Sequence, residues 1–147
     1  MSAYLDDISR IYDFPLPWES LRGCNILVTG ATGLIGSCMV DALMRYPGRS
    51  YHVYAAGHNE QRAAERFAPY QGDTAFHFLR YDVMHPLPTD VAYHYIIHAA
   101  SPGSPNFFAS HPVEVMKANL SGVSHLIDYG LQHQMRRLLY VSSGEVY

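Results

Sequence analysis

The amino-acid sequence predicts an α/β fold: a doubly wound parallel sheet with helices on both faces. Three observations carry this expectation. Short apolar and β-branched runs alternate along the chain with segments of helical spacing. Glycines stand where the first such run passes into the first helical segment. The strand-like runs are predominantly apolar, as expected of a parallel sheet covered by helices on both faces.

Taken in order, "NILVTG" (Asn25 to Gly30) reads as a strand ended by glycine, and "GLIGSCMVDALMRY" (Gly33 to Tyr46) as a helix stopped at Pro47-Gly48. "YHVYAAG" is a second strand, "EQRAAERF" a second helix and "FHFLRYDV" a third strand before the breaker "HPLP". "YHYIIHAA" is a fourth strand, leading into "SPGSPNFFAS", whose prolines and turn residues predict a loop without regular structure. Ser110 is then the expected N-cap of a long helix with Pro112 in its first turn, along which Val113, Met116, Leu120, Val123, Ile127 and Leu131 recur at helical intervals. "RRLLYVSS" closes the series as a fifth strand. Right-handed crossovers arrange five such strands in the order 3-2-1-4-5, a Rossmann-type sheet. Residues 1–24 read as an N-terminal extension, a short amphipathic helix and a Pro-rich connector with a packing role, ahead of a domain over 25–147.

Composition narrows the function classes. A chain of 147 residues buries about 68–70% of its unfolded surface in one core. The net charge of -3, with its arginines and single lysine scattered, supplies no field for a nucleic-acid backbone. No run of 18 apolar residues predicts a membrane span, and the expected location is cytoplasmic. Cys24 and Cys38 form no CxxC or zinc spacing and are expected as reduced, buried thiols. His94 and His98 fall four apart in a strand, a spacing that does not converge their side chains, so no metal site is expected.

"TGATGLIG" places Gly30, Gly33 and Gly36 at G-x-x-G-x-x-G spacing between a strand and a helix. Such a turn brings backbone close to a pyrophosphate and points the first helical amides at the anion. Flanked by strand and helix in the required order, it predicts a dinucleotide site.

Together, "TGATGLIG", "YDV", "HAASPGSP", "ANLSGV" and "SSGEVY" resemble the N-terminal half of an extended short-chain dehydrogenase/reductase, the NAD-dependent epimerase/dehydratase family acting on nucleotide sugars. "IIHAASPGSPNFFASHPVEVMKANLSGV" and the closing motif most resemble its UDP-glucuronate decarboxylase group. The resemblance implies a cofactor held by Gly30, Thr32, Gly33, Leu34, Ile35 and Gly36, with the amides of Leu34 and Ile35 on the pyrophosphate. It implies that Asp82 and Val83 contact adenine, that Ala99, Ala100 and Ser101 run along the cofactor, and that Asn119 joins them. Lys117 and Ser101 would border the substrate. At the end of the second strand Gly57, His58 and Asn59 stand where NAD-binding relatives carry an acid. NAD is expected as cofactor, with NADP admitted by the missing acid.

The resemblance further implies catalytic roles for Ser143, on the sugar hydroxyl being oxidised, and Glu145, at the neighbouring carbon. The family's YxxxK motif occurs nowhere in these 147 residues. The expectation is therefore a chain truncated before the later strands and the substrate domain, inactive alone. The intact enzyme would take a nucleotide-sugar substrate and form a homodimer, and the fragment would self-associate through its exposed edge strand. The alternative is a non-catalytic NAD(P)-binding sensor or scaffold.

Overall fold

The computed structural model of the protein describes residues 3–101 and 105–142. Their centre is a parallel sheet of β1 (Asn25–Thr29), β2 (His52–Gly57), β3 (Phe76–Arg80), β4 (Tyr95–His98) and β5 (Arg137–Tyr140), ordered β3-β2-β1-β4-β5. This is the predicted order. Helices α1 (Ala3–Arg10), α2 (Leu34–Arg45), α3 (Glu60–Arg66), α4 (Pro105–Ser110) and α5 (Pro112–Gln132) complete the architecture.

Alternate strand residues feed two separate cores. Ile26 and Val28 of β1, with Val53 and Ala55 of β2, pack against Val40, Leu43 and Met44 of α2 and Ala63 of α3. On the other face Leu27, Ala56 and Ile96 meet Leu126 and Tyr129 of α5. β1 and β2, at the centre, are buried on both faces, which is why they are mostly apolar, whereas β3 is half-buried and β5 largely exposed. Because β1 pairs with β2 on one side and β4 on the other, successive crossovers leave it in opposite directions. A crevice opens at the carboxyl ends of these strands, where ligands of such sheets bind.

Local signals explain several boundaries. α2 stops at Arg45, and Tyr46 is already extended (φ -61°, ψ 121°), since Pro47 disfavours helical backbone in the residue before it. Asn59 caps α3, its side chain accepting from the Arg62 N–H at 2.8 Å.

The N-terminal helix expected within residues 1–24 is α1, which packs on α2 and buries Ile8. Its Tyr4 hydroxyl donates to Asp41 Oδ2 at 2.6 Å, and the Tyr70 hydroxyl donates to Asp41 Oδ1 at 2.6 Å. The Arg66 guanidinium donates to the same carboxylate. Burial alone would raise the Asp41 carboxyl, but these three partners outweigh it and hold the group below its ordinary value. Trp18 stacks on Tyr46 at 4.3 Å between ring centroids, and the Tyr12 hydroxyl donates to the Ala42 carbonyl.

Three expectations need correction, and the structure also settles which way the α5 series faces. Residues 105–110, read as loop, form the helix α4: a proline at the first helical position lacks only an amide hydrogen that the helix would leave unpaired. Ser110 is not the N-cap of α5; it ends α4, its hydroxyl donating to the Asn106 carbonyl at 2.8 Å, and His111 occupies the cap. The apolar series along α5 faces outward: Val113, Met116, Leu120, Ile127 and Leu131 are exposed, while Val115, Gly122, Leu126 and Tyr129 are buried. Both cysteines are free thiols, but only Cys24 is fully buried.

Candidate dinucleotide site

The site begins where β1 ends. Gly30 turns the chain with φ +65°, a left-handed conformation that glycine adopts without strain. A Cβ on Gly30 would stand 2.6 Å from the Ala99 carbonyl oxygen and 2.7 Å from Ala100, so the glycine also brings the turn against the chain leaving β4. Gly33 donates to the Gly30 carbonyl at 2.9 Å and accepts from the Ser37 N–H at 2.9 Å, starting α2. Gly36 closes the arrangement, since a Cβ there would lie 2.2 Å from the Gly30 carbonyl oxygen. The amides of Leu34, Ile35 and Gly36, in the first turn of α2, bond to nothing among the described residues. They suit an anion such as a diphosphate.

Beside this turn lies a cleft of about 70 Å³ lined by Thr29, Gly30, Ala56, Gly57, His58 and Tyr81, with Asp82, Val83 and Ala100. It sits at the carboxyl ends of β1, β2 and β3. Gly57 ends β2, its carbonyl accepting from the Tyr81 N–H at 3.0 Å, and His58 is exposed beyond it. Burial pushes the Tyr81 phenol up to about 12, which keeps its hydrogen for the His85 carbonyl at 3.0 Å. Asp82 is exposed and spends one oxygen on its own turn, Oδ1 accepting from the Met84 N–H at 2.9 Å.

Ala99 and Ala100 are half-buried along the crevice, and Ser101 donates to Asn119 Oδ1 at 2.9 Å. Asn119 thus ties α5 to the chain leaving β4. Lys117 lies on an exposed part of the same helix, without an ion pair among the described residues. The structure therefore gathers Gly30, Thr32, Gly33, Gly36, Gly57, His58, Asp82, Val83, Ala99 and Ala100 at one end of the sheet, with Ser101 and Asn119 at its edge. Leu34 and Ile35 supply their amides there while their side chains are exposed. Ser143 and Glu145 lie outside the described residues.

Sequence reasoning missed three participants. The buried Thr29 and His98 meet beneath the turn, Oγ1 and Nδ1 2.6 Å apart, in register on neighbouring strands. Burial pushes the His98 imidazole below its usual value, and its Nε2 has no partner among the described residues. His125 of α5 bonds the Val83 carbonyl. None carries a local sequence signal. A larger concavity, about 530 Å³, lies between α1 and α2, walled chiefly by apolar groups of Tyr4, Leu34, Ile35, Cys38 and Met39. It is the smaller cleft that opens at the strand ends. Among the described residues no group of three or more His, Cys, Asp or Glu could hold a metal ion, and no helix is long and apolar enough to cross a membrane.

The comparisons with known proteins agree with this geometry. UDP-glucuronic acid decarboxylase 3 of Arabidopsis thaliana is 33% identical over 138 residues, which cover 90% of this chain and 39% of that protein. UDP-glucuronic acid decarboxylase 1 of Danio rerio is 32% identical over 123 residues, covering 83% of this chain and 28% of that protein. The chain thus spans well under half the length of these relatives. The fold recurs in UDP-glucuronic acid 4-epimerase of Bacillus cereus, solved with UDP-glucuronic acid and NAD: TM-score 0.68, 23% identity, 84% of this chain and 41% of that one. It recurs also in yeast Gre2, solved with NADPH: TM-score 0.65, 17% identity, 81% of this chain and 37% of that one. Residues 26–147 match one described family along their whole length, and on that match this chain belongs to the NAD dependent epimerase/dehydratase family.

Proposed function

We propose that this chain is the dinucleotide-binding part of a nucleotide-sugar modifying enzyme, most like a UDP-glucuronate decarboxylase. The carrying observation is the close approach of Gly30 to Ala99 and Ala100, which sets the unpaired amides of Leu34 and Ile35 beside the crevice. A Cβ at Gly30 would collide with Ala99 and Ala100, and one at Gly36 with the Gly30 carbonyl, so only glycine permits this turn, whose unpaired amides fit a diphosphate. A nicotinamide cofactor bound there would supply reversible hydride acceptance from the sugar.

The chain's own residues bind and orient. Leu34 and Ile35 N–H would donate to the diphosphate, Thr32, Gly57 and His58 would border the ribose, and Asp82 and Val83 would meet adenine. Ala99, Ala100 and Ser101 flank the remaining cofactor, with Asn119 fixing Ser101 and Lys117 reaching towards substrate. Ser143 would hydrogen-bond the sugar hydroxyl being oxidised and Glu145 would assist at the adjacent carbon. NAD is the proposed cofactor. NADP is its competitor, because Gly57 presents no carboxylate to repel a 2′-phosphate. We place the intact enzyme in the cytoplasm as a homodimer. The exposed apolar face of α5 and the outer edge of β5 both favour self-association, and no turnover is expected from these 147 residues alone.

Two measurements test the reading: titration of the chain with NAD and NADP, and assay of the full-length protein with UDP-, dTDP- and GDP-sugars. Tighter NAD binding and conversion of UDP-glucuronate with loss of carbon dioxide are expected. Preference for NADP would overturn the cofactor assignment. Cofactor binding without conversion of any sugar would favour a sensor.

A further inference from the structure

α5 bonds to two segments that border the cleft, the chain leaving β4 and the turn after β3. Beyond Asn119, the same helix presents His125 to the turn that follows β3, with imidazole Nδ1 3.1 Å from the Val83 carbonyl oxygen. A carbonyl only accepts, so Nδ1 carries the hydrogen. The other end of the same peptide plane is also held, since the Met84 N–H donates to Asp82 Oδ1 at 2.9 Å. Both polar atoms of the peptide joining Val83 to Met84 are thereby engaged, which fixes its plane.

Gly122, one helical turn earlier, lets α5 come this close. A Cβ there would stand 3.2 Å from Val83 Cβ, 3.3 Å from its Cγ2 and 3.5 Å from His98 Nε2. The clamp leaves two groups uncommitted. The Val83 N–H donates to nothing among the described residues, and Asp82 Oδ2 has only His85 Nδ1 near it, at 3.8 Å. One donor beside one acceptor complements the N1 and amino edge of adenine. Hypoxanthine, with N1–H and a carbonyl, reverses both requirements.

We propose that His125 is a positioning residue for adenine selection, with Gly122 admitting it: by holding the Val83–Met84 peptide from the helix side, it steadies the Asp82 carboxylate, which accepts from the Met84 N–H, and Val83, whose own N–H on the preceding peptide is the donor. This rests on the dinucleotide reading given above. The role is indirect, because His125 itself bonds only backbone.

The test compares ADP-ribose with its hypoxanthine analogue by titration calorimetry, using the wild-type chain, His125→Leu and His125→Asn. The wild type should prefer ADP-ribose. His125→Leu, which lacks the donor, should lose about three- to tenfold in ADP-ribose affinity, the usual worth of one such bond, and should narrow the preference. His125→Asn carries an amide nitrogen as many bonds from Cα as Nδ1 and should restore both. If the Leu variant does not fold, His125→Ala is read in its place. Unchanged ADP-ribose binding without the donor would overturn the proposal, as would equal loss of both ligands. Failure of the wild type to bind ADP-ribose would instead sink the dinucleotide reading, and this inference with it.

Discussion

Thr29 Oγ1 and His98 Nδ1 lie 2.6 Å apart in the core, joining the last rungs of β1 and β4 directly beneath the turn. Gly30 and Ala99, the next residue of each strand, are the pair whose backbones nearly touch. The hydroxyl–imidazole contact therefore fixes the spacing of the two strands at the point where the crevice opens.

His98 makes stability depend on pH. Burial holds its folded-state value below the ordinary histidine value of about 6.5. As pH falls through that value the unfolded chain takes up a proton that the folded chain refuses, so stability is full above about 6.5 and declines towards the lower folded value. Thermal midpoints measured from pH 7.5 down to pH 5 should fall. His98→Gln should flatten the slope, leaving the part due to His77, whose value burial and His52 also lower. A slope unchanged by His98→Gln would contradict this.

Asp41 joins α1, α2 and α3 and the Tyr70 hydroxyl. Asp41→Asn should cost about 3 kcal/mol, the low end for breaking a buried pair, because the Arg66 side chain keeps 32% of its surface in water. Tyr4→Phe removes two hydrogen bonds, the donation to Asp41 and a longer one accepted from Arg66 at 3.4 Å, and should cost about 1 kcal/mol because the second is weak and exposed. Urea unfolding monitored by circular dichroism checks both.

The outward face of α5 should drive association of the chain. Leu120 and Leu131 are 73% and 81% exposed beside exposed Val113, Met116 and Ile127, and an exposed apolar face of this kind marks an interaction surface. Sedimentation of Leu120→Glu, Leu131→Glu should show a smaller species than the wild type at equal concentration. Identical profiles would locate association elsewhere, with the edge of β5 the next place to examine.

The sheet order was legible because its signals are local: glycine, proline and apolar runs punctuate each strand and helix within a few residues. The glycine turn was legible for the same reason. α4 was not, because Pro105 is as compatible with a helix start as with a loop. Periodicity placed a stripe on α5 but could not say which side meets the sheet. The buried side includes Gly122 and Tyr129, which an apolar count undervalues, alongside Leu126, whereas Leu120 and Leu131 face out. The contacts of Thr29 with His98 and Val83 with His125 join residues 69 and 42 positions apart, and only strand register and helix docking bring them together.

The central claim is that the first amides of α2 hold a diphosphate at the glycine turn. Titration of the chain with NAD, beside a Gly36→Ala variant shown by circular dichroism to be folded, tests it most directly. The added methyl must displace the Gly30 carbonyl, 2.2 Å away, so the wild type should bind one equivalent and the variant roughly tenfold more weakly or worse. No binding by the wild type, or equal binding by both, would contradict the claim.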